Sequence, residues 1–231
     1  MISVPRSELA QLLPQVGSDV SAADRDEMAI PSYLHANPLV RWLMWRRYAA
    51  IESLMDVRLD QSVLEFGCGA GLFLPSLCMR YPSVLAIDLF PHFATLLVEN
   101  RRLDVTFIDS VEVIPAQSLG AIVAADVLEH VDDLDYYLEL FCAKLRPNGQ
   151  LLVSGPTESI PYRIGRSLAG FGGKGHYHHR SVGDIADRAR RLFSCEGRVS
   201  LPFRFAPHLF EVLNFTPRAT HYAAPRPESS T

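Results

Sequence analysis

The sequence predicts an α/β fold: a Rossmann-like, seven-stranded, mostly parallel doubly wound sheet with an antiparallel hairpin at one edge. Short apolar runs alternate with helical stretches between residues 61 and 153, as parallel strands do when crossover helices join them. The second and third of these runs end in an acid, and the first ends in an acid and a set of glycines. Polar groups should therefore gather at one rim of the sheet, where ligands of open α/β sheets bind.

Length and composition fit one domain with a covered sheet. The chain has 231 residues, 48% of them hydrophobic, and a formal net charge of −4. This charge gives no overall basic surface, so we expect no nucleic-acid partner. No apolar run reaches the roughly 20 residues that span a bilayer, which predicts no stable membrane insertion. The four cysteines lack C-x-x-C spacing and residues 1–14 lack a secretory signal, so we expect a cytoplasmic location, with the oligomeric state left open.

Residues 1–57 are predicted to be an N-terminal segment and helix that cover the site. Residues 1–29 are polar and are expected to be a loosely ordered lead-in. Pro38 then starts a helix that should end near Val57. The apolar stripe of this helix, expected to pack in the core, consists of Val40, Met44, Tyr48, Ile51 and Met55.

The first strand, Val63–Phe66, leads into glycines at positions 67, 69 and 71. Glycines remove the side chains that would hold a ligand away from the backbone, and a helix is expected to open at residues 72–74. A dinucleotide fingerprint requires its third glycine at position 72, where the chain has leucine, so a nicotinamide cofactor is disfavoured. The turn predicts a site for another nucleoside cofactor.

The next two strands supply acids to the same rim. The run over 83–87 ends at Asp88, roughly 20 residues after the glycines, where a carboxylate can accept both hydroxyls of a ribose. A third run over 104–110 carries Asp109 and Ser110 at its tip. The position of Asp88 suits an adenosine-type ligand.

The fourth strand, Ala121–Ala125, is followed by the run D-V-L-E-H-V over 126–131. This run resembles the fourth motif of the small-molecule branch of the class I S-adenosylmethionine-dependent methyltransferases. The run E-x-G-x-G-x-G over 65–71 resembles their first motif. The resemblance covers about residues 61–156, with one departure: the acid that usually opens the fourth strand is Gly120 here.

The resemblance implies S-adenosylmethionine as cofactor and a set of residues that bind it. Glu65 is expected to orient the amino end of the cofactor, the glycines to wrap its methionine end, and Asp109 to meet the exocyclic amine of adenine. The full set of expected cofactor-binding residues is Glu65, Gly67, Cys68, Gly69, Gly71, Asp88, Leu89, Asp109, Ser110, Asp126 and Val127.

Methyl transfer is an in-line displacement, so positioning supplies much of the acceleration and a general base is an optional addition. His130 is the first candidate for that base, because the turn after the fourth strand should carry it or Glu129 toward the methyl group. The alternative is that His130 caps the following helix or packs against the cofactor.

Residues 157–180 are predicted to be a cap or substrate insertion within a domain spanning residues 58–216. His176 and His178 share one side of it if the segment is extended, and they are candidates to face the substrate, with a solvated turn as the alternative. No nearby acid or cysteine completes a ligand set, so no metal is expected. Arg163 and Arg166 are candidates to grip an anionic acceptor, although exposed arginines are usually solvated. Tyr33 and His35 are candidates to close over the cofactor.

Two apolar runs, 195–203 and 208–215, are predicted to complete the sheet as the antiparallel edge hairpin that the family carries. Residues 217–231 contain three prolines and a serine-rich end, and are expected to be a disordered tail.

The function expected from the sequence is methyl transfer from S-adenosylmethionine to a small-molecule acceptor, with oxygen the preferred acceptor atom. Transfer to nitrogen or carbon is not excluded. A cofactor-binding regulator or inactive partner subunit of the same fold is the alternative from another class. A nicotinamide dehydrogenase remains a third option, because only one glycine position argues against it.

Overall fold

A computed structural model describes residues 1–15, 30–56, 60–162, 180–203, 205 and 208–219. Its centre is a seven-stranded sheet in the order β3-β2-β1-β4-β5-β7-β6. Strands β1 to β5 run parallel, and β7 is antiparallel to both β5 and β6. The predicted fold class is therefore confirmed. The strands are β1 (Ser62–Phe66), β2 (Ser83–Ile87), β3 (Val105–Phe107), β4 (Leu119–Ala125), β5 (Leu145–Pro156), β6 (Phe193–Leu201) and β7 (Phe210–Pro217).

Helices cover both faces of the sheet, and this is why its central strands are almost entirely apolar. Val63 and Leu64, neighbours in β1, belong to different core clusters because successive side chains of a strand point to opposite faces. The helices are α1 (Arg6–Leu12), α2 (Ile30–Leu34), α3 (Pro38–Leu54), α4 (Leu74–Cys78), α5 (His92–Arg101), α6 (Leu134–Lys144) and α7 (Val182–Ala189).

Residues 1–15 differ from the expected loose lead-in, of which residues 16–29 lie outside the described part of the chain. Residues 6–12 form α1, and Val4, Leu9 and Leu12 are buried against α2 and α5. Glu8 accepts two hydrogen bonds from the Arg101 guanidinium, at 2.8 and 2.7 Å. A few well-spaced apolar residues among many polar ones are enough to anchor this segment.

Helix α3 starts at the predicted proline and ends three residues before Val57. The Asn37 side chain caps it by accepting the Leu39 N–H at 2.9 Å. Of the predicted stripe, Met44 and Ile51 are buried within the helix, and Met55 is buried just beyond its end. Tyr48 is half-buried and packs against the core, whereas Val40 is half-buried and belongs to no core cluster, so the stripe packs in the core from Met44 onward.

The order of the strands places β1 between β2 and β4. The chain leaves β1 toward β2 on one side, and β4 begins the second half of the sheet on the other, so the carboxyl ends of β1 and β4 form the switch point. Among the described residues, no helix is long and apolar enough to cross a membrane.

Candidate active site

A cavity of about 750 Å³ opens at the switch point. Its wall combines the loops after β1, β2, β3 and β4 with side chains from α2 and α3. This volume lies within the range of small-molecule and cofactor sites. The predicted site residues that line the cavity are Tyr33, Gly67, Cys68, Gly69, Asp88, Leu89, Asp109, Asp126, Val127 and His130.

The glycine loop is a tight turn whose amide groups are already engaged. Gly67 and Gly69 have φ angles of 72° and 51°, which favour glycine. The N–H groups of Gly67 and Cys68 both donate to the Ile87 carbonyl, at 2.9 and 3.1 Å. Since these donors are used within the protein, the loop is not a phosphate cradle of the dinucleotide type.

Asp88 holds the glycine loop as well as facing the cavity. Its Oδ2 accepts the Gly69 N–H at 2.6 Å, and its Oδ1 accepts the Phe90 N–H at 2.9 Å. A carboxylate offers about four lone-pair sites, so two remain for other donors. The residue expected to bind ribose thus also orders the turn beside it.

Three residues of the expected cofactor set lie off the cavity wall. A Cβ on Gly71 would lie 2.9 Å from the Ala94 Cβ, so this glycine permits close packing against α5. The Ser110 hydroxyl accepts the Glu112 N–H at 3.1 Å and caps a short 3₁₀ turn. Spacing alone does not distinguish such packing and capping positions from ligand contacts.

Glu65 is the third of these residues, and it is buried within β1. Burial, and then the neighbouring Asp88 charge, raise the Glu65 pKa well above its ordinary value. A neutral carboxyl is a poor partner for the cofactor's ammonium group. The assignment of Glu65 to the amino end of the cofactor stays a prediction, and it requires that the ammonium group offset this raised pKa.

The chain turns sharply after β4 and presents polar groups to the cavity. Asp126 has a φ angle of 54°, and its N–H donates to the Ser154 carbonyl at 3.0 Å. His130 is exposed and lies on the cavity wall. Its backbone N–H donates to the Val127 carbonyl at 3.0 Å, which closes a turn that ends at His130. Its position allows contact with a ligand.

Arg47 is a wall residue that sequence reasoning missed. It is 5% exposed, pairs with Asp126, donates to the Tyr33 hydroxyl at 3.3 Å, and lies 5.0 Å from the Phe210 ring centroid. The signal was present in the sequence, since Arg47 follows Met44 by three residues and thus belongs to the buried face of α3.

The Arg47 and Asp126 pair retains hydrogen-bonding capacity. Burial opposes the charge of Arg47, but Asp126 and then Tyr33 more than offset it and raise the guanidinium pKa above its ordinary value. The Arg47 Nε and the Asp126 Oδ1 are buried and have no hydrogen-bond partner among the described residues. Buried polar groups left unpaired are costly, and both of these residues line the cavity.

Aromatic rings form the rest of the wall on the helix side. Tyr33 meets the Trp45 ring edge-on at 5.2 Å, and Tyr48 stacks on Phe73 at 5.0 Å. Tyr33 and Tyr48 line the cavity. His35, expected to close over the cofactor with Tyr33, is not part of the wall, and its Nδ1 accepts the Asn37 N–H at 3.0 Å.

Glu129 lies behind the wall and is 1% exposed. Burial, followed by the Asp126 charge, raises the Glu129 pKa to about 8. An acid with this pKa is largely protonated at neutral pH. Glu129 is therefore a titratable group close to the cavity, although its side chain does not line the cavity wall.

The electrostatic character of the cavity is strongly acidic. Arg47 is the single arginine or lysine on the wall among the described residues. This excess of negative charge repels a pyrophosphate and attracts a cation. The acids on the wall are Asp88, Asp109, Asp126, Asp132 and Asp133.

Some predicted residues fall outside the described part of the chain: Arg163, Arg166, His176 and His178. Within the described part, no three histidine, cysteine, aspartate or glutamate residues are grouped so that they could hold a metal ion. The departure at Gly120 also has a structural counterpart. A Cβ there would lie 2.1 Å from the Gln61 Oε1, so the Gln61 side chain occupies the space of the missing acid.

Comparison with known proteins adds to this geometry. A family model described as a methyltransferase domain matches residues 7–193. The chain is 30% identical over 118 residues to the human mitochondrial ubiquinone biosynthesis O-methyltransferase, a match that covers 46% of this chain and 32% of the human protein. The chain thus spans less than half the length of this relative.

Solved structures share the fold at low sequence identity. A protein of Pyrococcus horikoshii has a TM-score of 0.65 and 15% identity, over 81% of this chain and 96% of its own. The N-methyltransferase NodS of Bradyrhizobium japonicum, solved with S-adenosyl-L-homocysteine, has a TM-score of 0.60 and 17% identity, over 90% of this chain and 97% of its own.

Proposed function

Because this chain belongs to the methyltransferase domain family, and with it to the class I S-adenosylmethionine-dependent methyltransferases, we propose that it transfers a methyl group from S-adenosylmethionine to a small-molecule acceptor. One observation carries this proposal: the acidic cavity at the switch point, built around a glycine loop whose amides are not free for phosphate. S-adenosylmethionine carries a positive sulfonium and a positive ammonium group, and such a cavity favours both.

The residues present fit this cofactor. Gly67 and Gly69 keep the loop free of side chains, Asp88 has acceptor capacity for ribose hydroxyls, and Asp109 stands where adenine is expected. The unpaired Arg47 Nε suits the cofactor's carboxylate, and the unpaired Asp126 Oδ1 suits its ammonium group. We therefore add Arg47 and Asp126 to Glu65 as proposed ligands of the methionine end.

The chemistry supplied by the bound cofactor is an electrophilic methyl group on a sulfonium. The chain's own task is to hold an acceptor lone pair in line with that methyl and to exclude water. The aromatic wall of Tyr33 and Tyr48 serves the second purpose. We assign His130 the role of accepting a proton from a hydroxyl acceptor, since it is exposed on the wall near the end of β4.

Oxygen is the proposed acceptor atom. The human relative's name describes O-methylation in ubiquinone biosynthesis, and a hydroxyl acceptor gives His130 a function as a base. An amine acceptor is the second candidate, favoured by the same acidic wall and by the activity in the name of NodS.

The test is a turnover assay with purified protein. S-adenosylmethionine with a labelled methyl group is incubated with separate panels of phenolic, catecholic and amine acceptors, and both S-adenosylhomocysteine and labelled product are measured. Turnover restricted to the hydroxyl panels supports the proposal. Turnover of amines alone contradicts the choice of oxygen, and tight cofactor binding without turnover of any panel favours a non-catalytic role.

A further inference from the structure

An exposed aromatic surface lies on the outer face of α3, away from the cavity. Leu39, Trp42 and Arg46 follow one another at helical spacing, and all three are exposed. The Phe203 ring in the connection between β6 and β7 lies 6.4 Å from the Trp42 ring. Phe205, two residues further along, is 90% exposed. We call Leu39, Trp42, Arg46, Phe203 and Phe205 the aromatic surface.

Among the described residues, the aromatic surface contains three of the four exposed phenylalanine, tyrosine and tryptophan side chains, and Tyr136 is the fourth. Among the described residues, Trp42, Phe203 and Phe205 are all of the exposed phenylalanine and tryptophan side chains. Scattered single apolar residues on a surface need no explanation, whereas a cluster of large rings indicates a binding surface. The rings contribute nothing to the buried core, so another reason for their position is required.

The sequence around the aromatic surface is rich in arginine. Residues 30–51 and 197–210 contain five arginines and no aspartate or glutamate, although the whole chain has a net charge of −4. One of the five, Arg204, lies outside the described residues. Arg47 and Arg198 are paired with Asp126 and Glu211. Arg41 and Arg46 form no ion pair among the described residues, and the Arg46 guanidinium lies 5.8 Å from the Trp42 ring centroid.

We propose that the aromatic surface docks this protein reversibly on an anionic lipid bilayer. Tryptophan and phenylalanine partition into the interfacial region of a bilayer, and arginines beside them are attracted to anionic headgroups. The acidic remainder of the protein is repelled by the same headgroups. The attraction of the aromatic surface and the repulsion of the acidic remainder together determine which side of the protein faces the bilayer.

The aromatic surface and the cavity lie on opposite faces of the same helix, α3. Arg46 belongs to the aromatic surface, and Arg47, the next residue, lines the cavity from the inner face of α3. The connection that carries Phe203 and Phe205 ends at Phe210, against which Arg47 packs. A bilayer on this surface would lie against the helix that forms one wall of the cavity.

Vesicle co-sedimentation tests the proposal directly. Full-length protein is mixed with vesicles of phosphatidylcholine alone or of phosphatidylcholine with phosphatidylglycerol. We expect binding to the anionic vesicles, reduced at least about tenfold in a Phe203→Ser, Phe205→Ser double variant. Arg46→Glu should weaken binding to the anionic vesicles as well. Matched controls are Met79→Ser and Val113→Ser, which remove side chains of 71% and 69% exposure elsewhere and should bind as wild type.

Fluorescence provides a second measurement. The chain has two tryptophans, so Trp45→Phe leaves Trp42 as the reporter. Lipids with brominated chains should quench Trp42 in anionic vesicles. Absence of wild-type binding to anionic vesicles overturns the proposal, as does equal binding to both vesicle types or undiminished binding of the folded double variant. Concentration-dependent dimers that the double variant abolishes, without lipid binding, would identify a second copy of the chain as the occupant and also overturn it.

Discussion

Gly67 faces Val127 so closely that a Cβ on Gly67 would lie 2.3 Å from the valine Cγ2. The loop after β1 and the turn after β4 are therefore in direct contact at the edge of the cavity. The runs over 65–71 and 126–131, which resemble two motifs of the family, are distant in sequence but form adjoining parts of the cavity wall.

Replacing Gly67 with alanine should disrupt both the loop and ligand binding. The new methyl group would meet Val127, and the φ angle of 72° is unfavourable for alanine. We expect a loss of about 1 to 3 kcal/mol in unfolding free energy and at least about a tenfold weaker affinity for S-adenosylmethionine. Urea denaturation and calorimetry measure the two effects. Gly183→Ala, where the nearest atom is the Ser181 Oγ at 3.4 Å, is the control. Wild-type affinity in Gly67→Ala would contradict the assignment of the loop.

Asp88→Ala should weaken S-adenosylmethionine binding at least tenfold, since hydrogen bonds to a charged group typically contribute about 1.5 to 3 kcal/mol each. It should also loosen the glycine loop, because the Gly69 and Phe90 amides lose their acceptors. Asp88→Asn keeps one acceptor oxygen and should be intermediate in both respects. Calorimetry and amide exchange at Gly69 check the two consequences. Unchanged affinity in folded Asp88→Ala would remove the ribose assignment.

The Arg47 and Asp126 pair should show strong coupling in a double-mutant cycle. Arg47→Met leaves a partly buried carboxylate unpaired and should cost about 3 to 5 kcal/mol of unfolding free energy, whereas the double variant with Asp126→Asn should cost less than the two single changes together. The exposed Arg188 and Asp135 pair, at 2.7 Å, is the control and should couple by at most about 1 kcal/mol. Additive single changes at Arg47 and Asp126 would show that the ion pair has little energetic weight.

The raised Glu129 pKa predicts a pH dependence of stability. The native state retains the Glu129 proton up to about pH 8, whereas the unfolded chain releases it near the ordinary value of 4.5. The stability that the proton contributes is complete below pH 4.5 and is lost as pH rises through 8, with a slope of at most about 1.4 kcal/mol per pH unit. Glu129→Gln should remove this slope. Urea denaturation from about pH 5 to pH 8 compares the two proteins, and parallel curves would contradict the prediction.

His130→Ala separates proton transfer from positioning. If His130 accepts the acceptor's proton, kcat should fall about 10² to 10⁴-fold, while the cofactor dissociation constant changes little. His92→Ala is the matched control, since His92 is exposed at the start of α5 and does not line the cavity. Half or more of the wild-type turnover in His130→Ala would leave proximity as the main catalytic device.

The sheet and the loops at its rim could be predicted from the sequence because their signals are local. An apolar run followed by Gly67 or by Asp88 defines both a strand and its end. The role of Arg47 could not be predicted as easily, since its partner Asp126 lies 79 residues further along the chain. Gly71 and Ser110 have a packing role and a capping role that their motifs did not predict, while their assignment to the cofactor stays a prediction.

The contacts of Arg47 also determine when the site can exist during protein synthesis. Arg47 packs on Asp126 and on Phe210, the first residue of β7, which follows the other described strands in the sequence. At about 5 to 20 residues per second, the ribosome adds Phe210 roughly 8 to 33 seconds after Arg47. Throughout that interval Arg47 lacks the ring on which it packs in the folded protein. We therefore expect a ribosome-bound fragment that ends before β7 to bind the cofactor more weakly than a chain that includes β7.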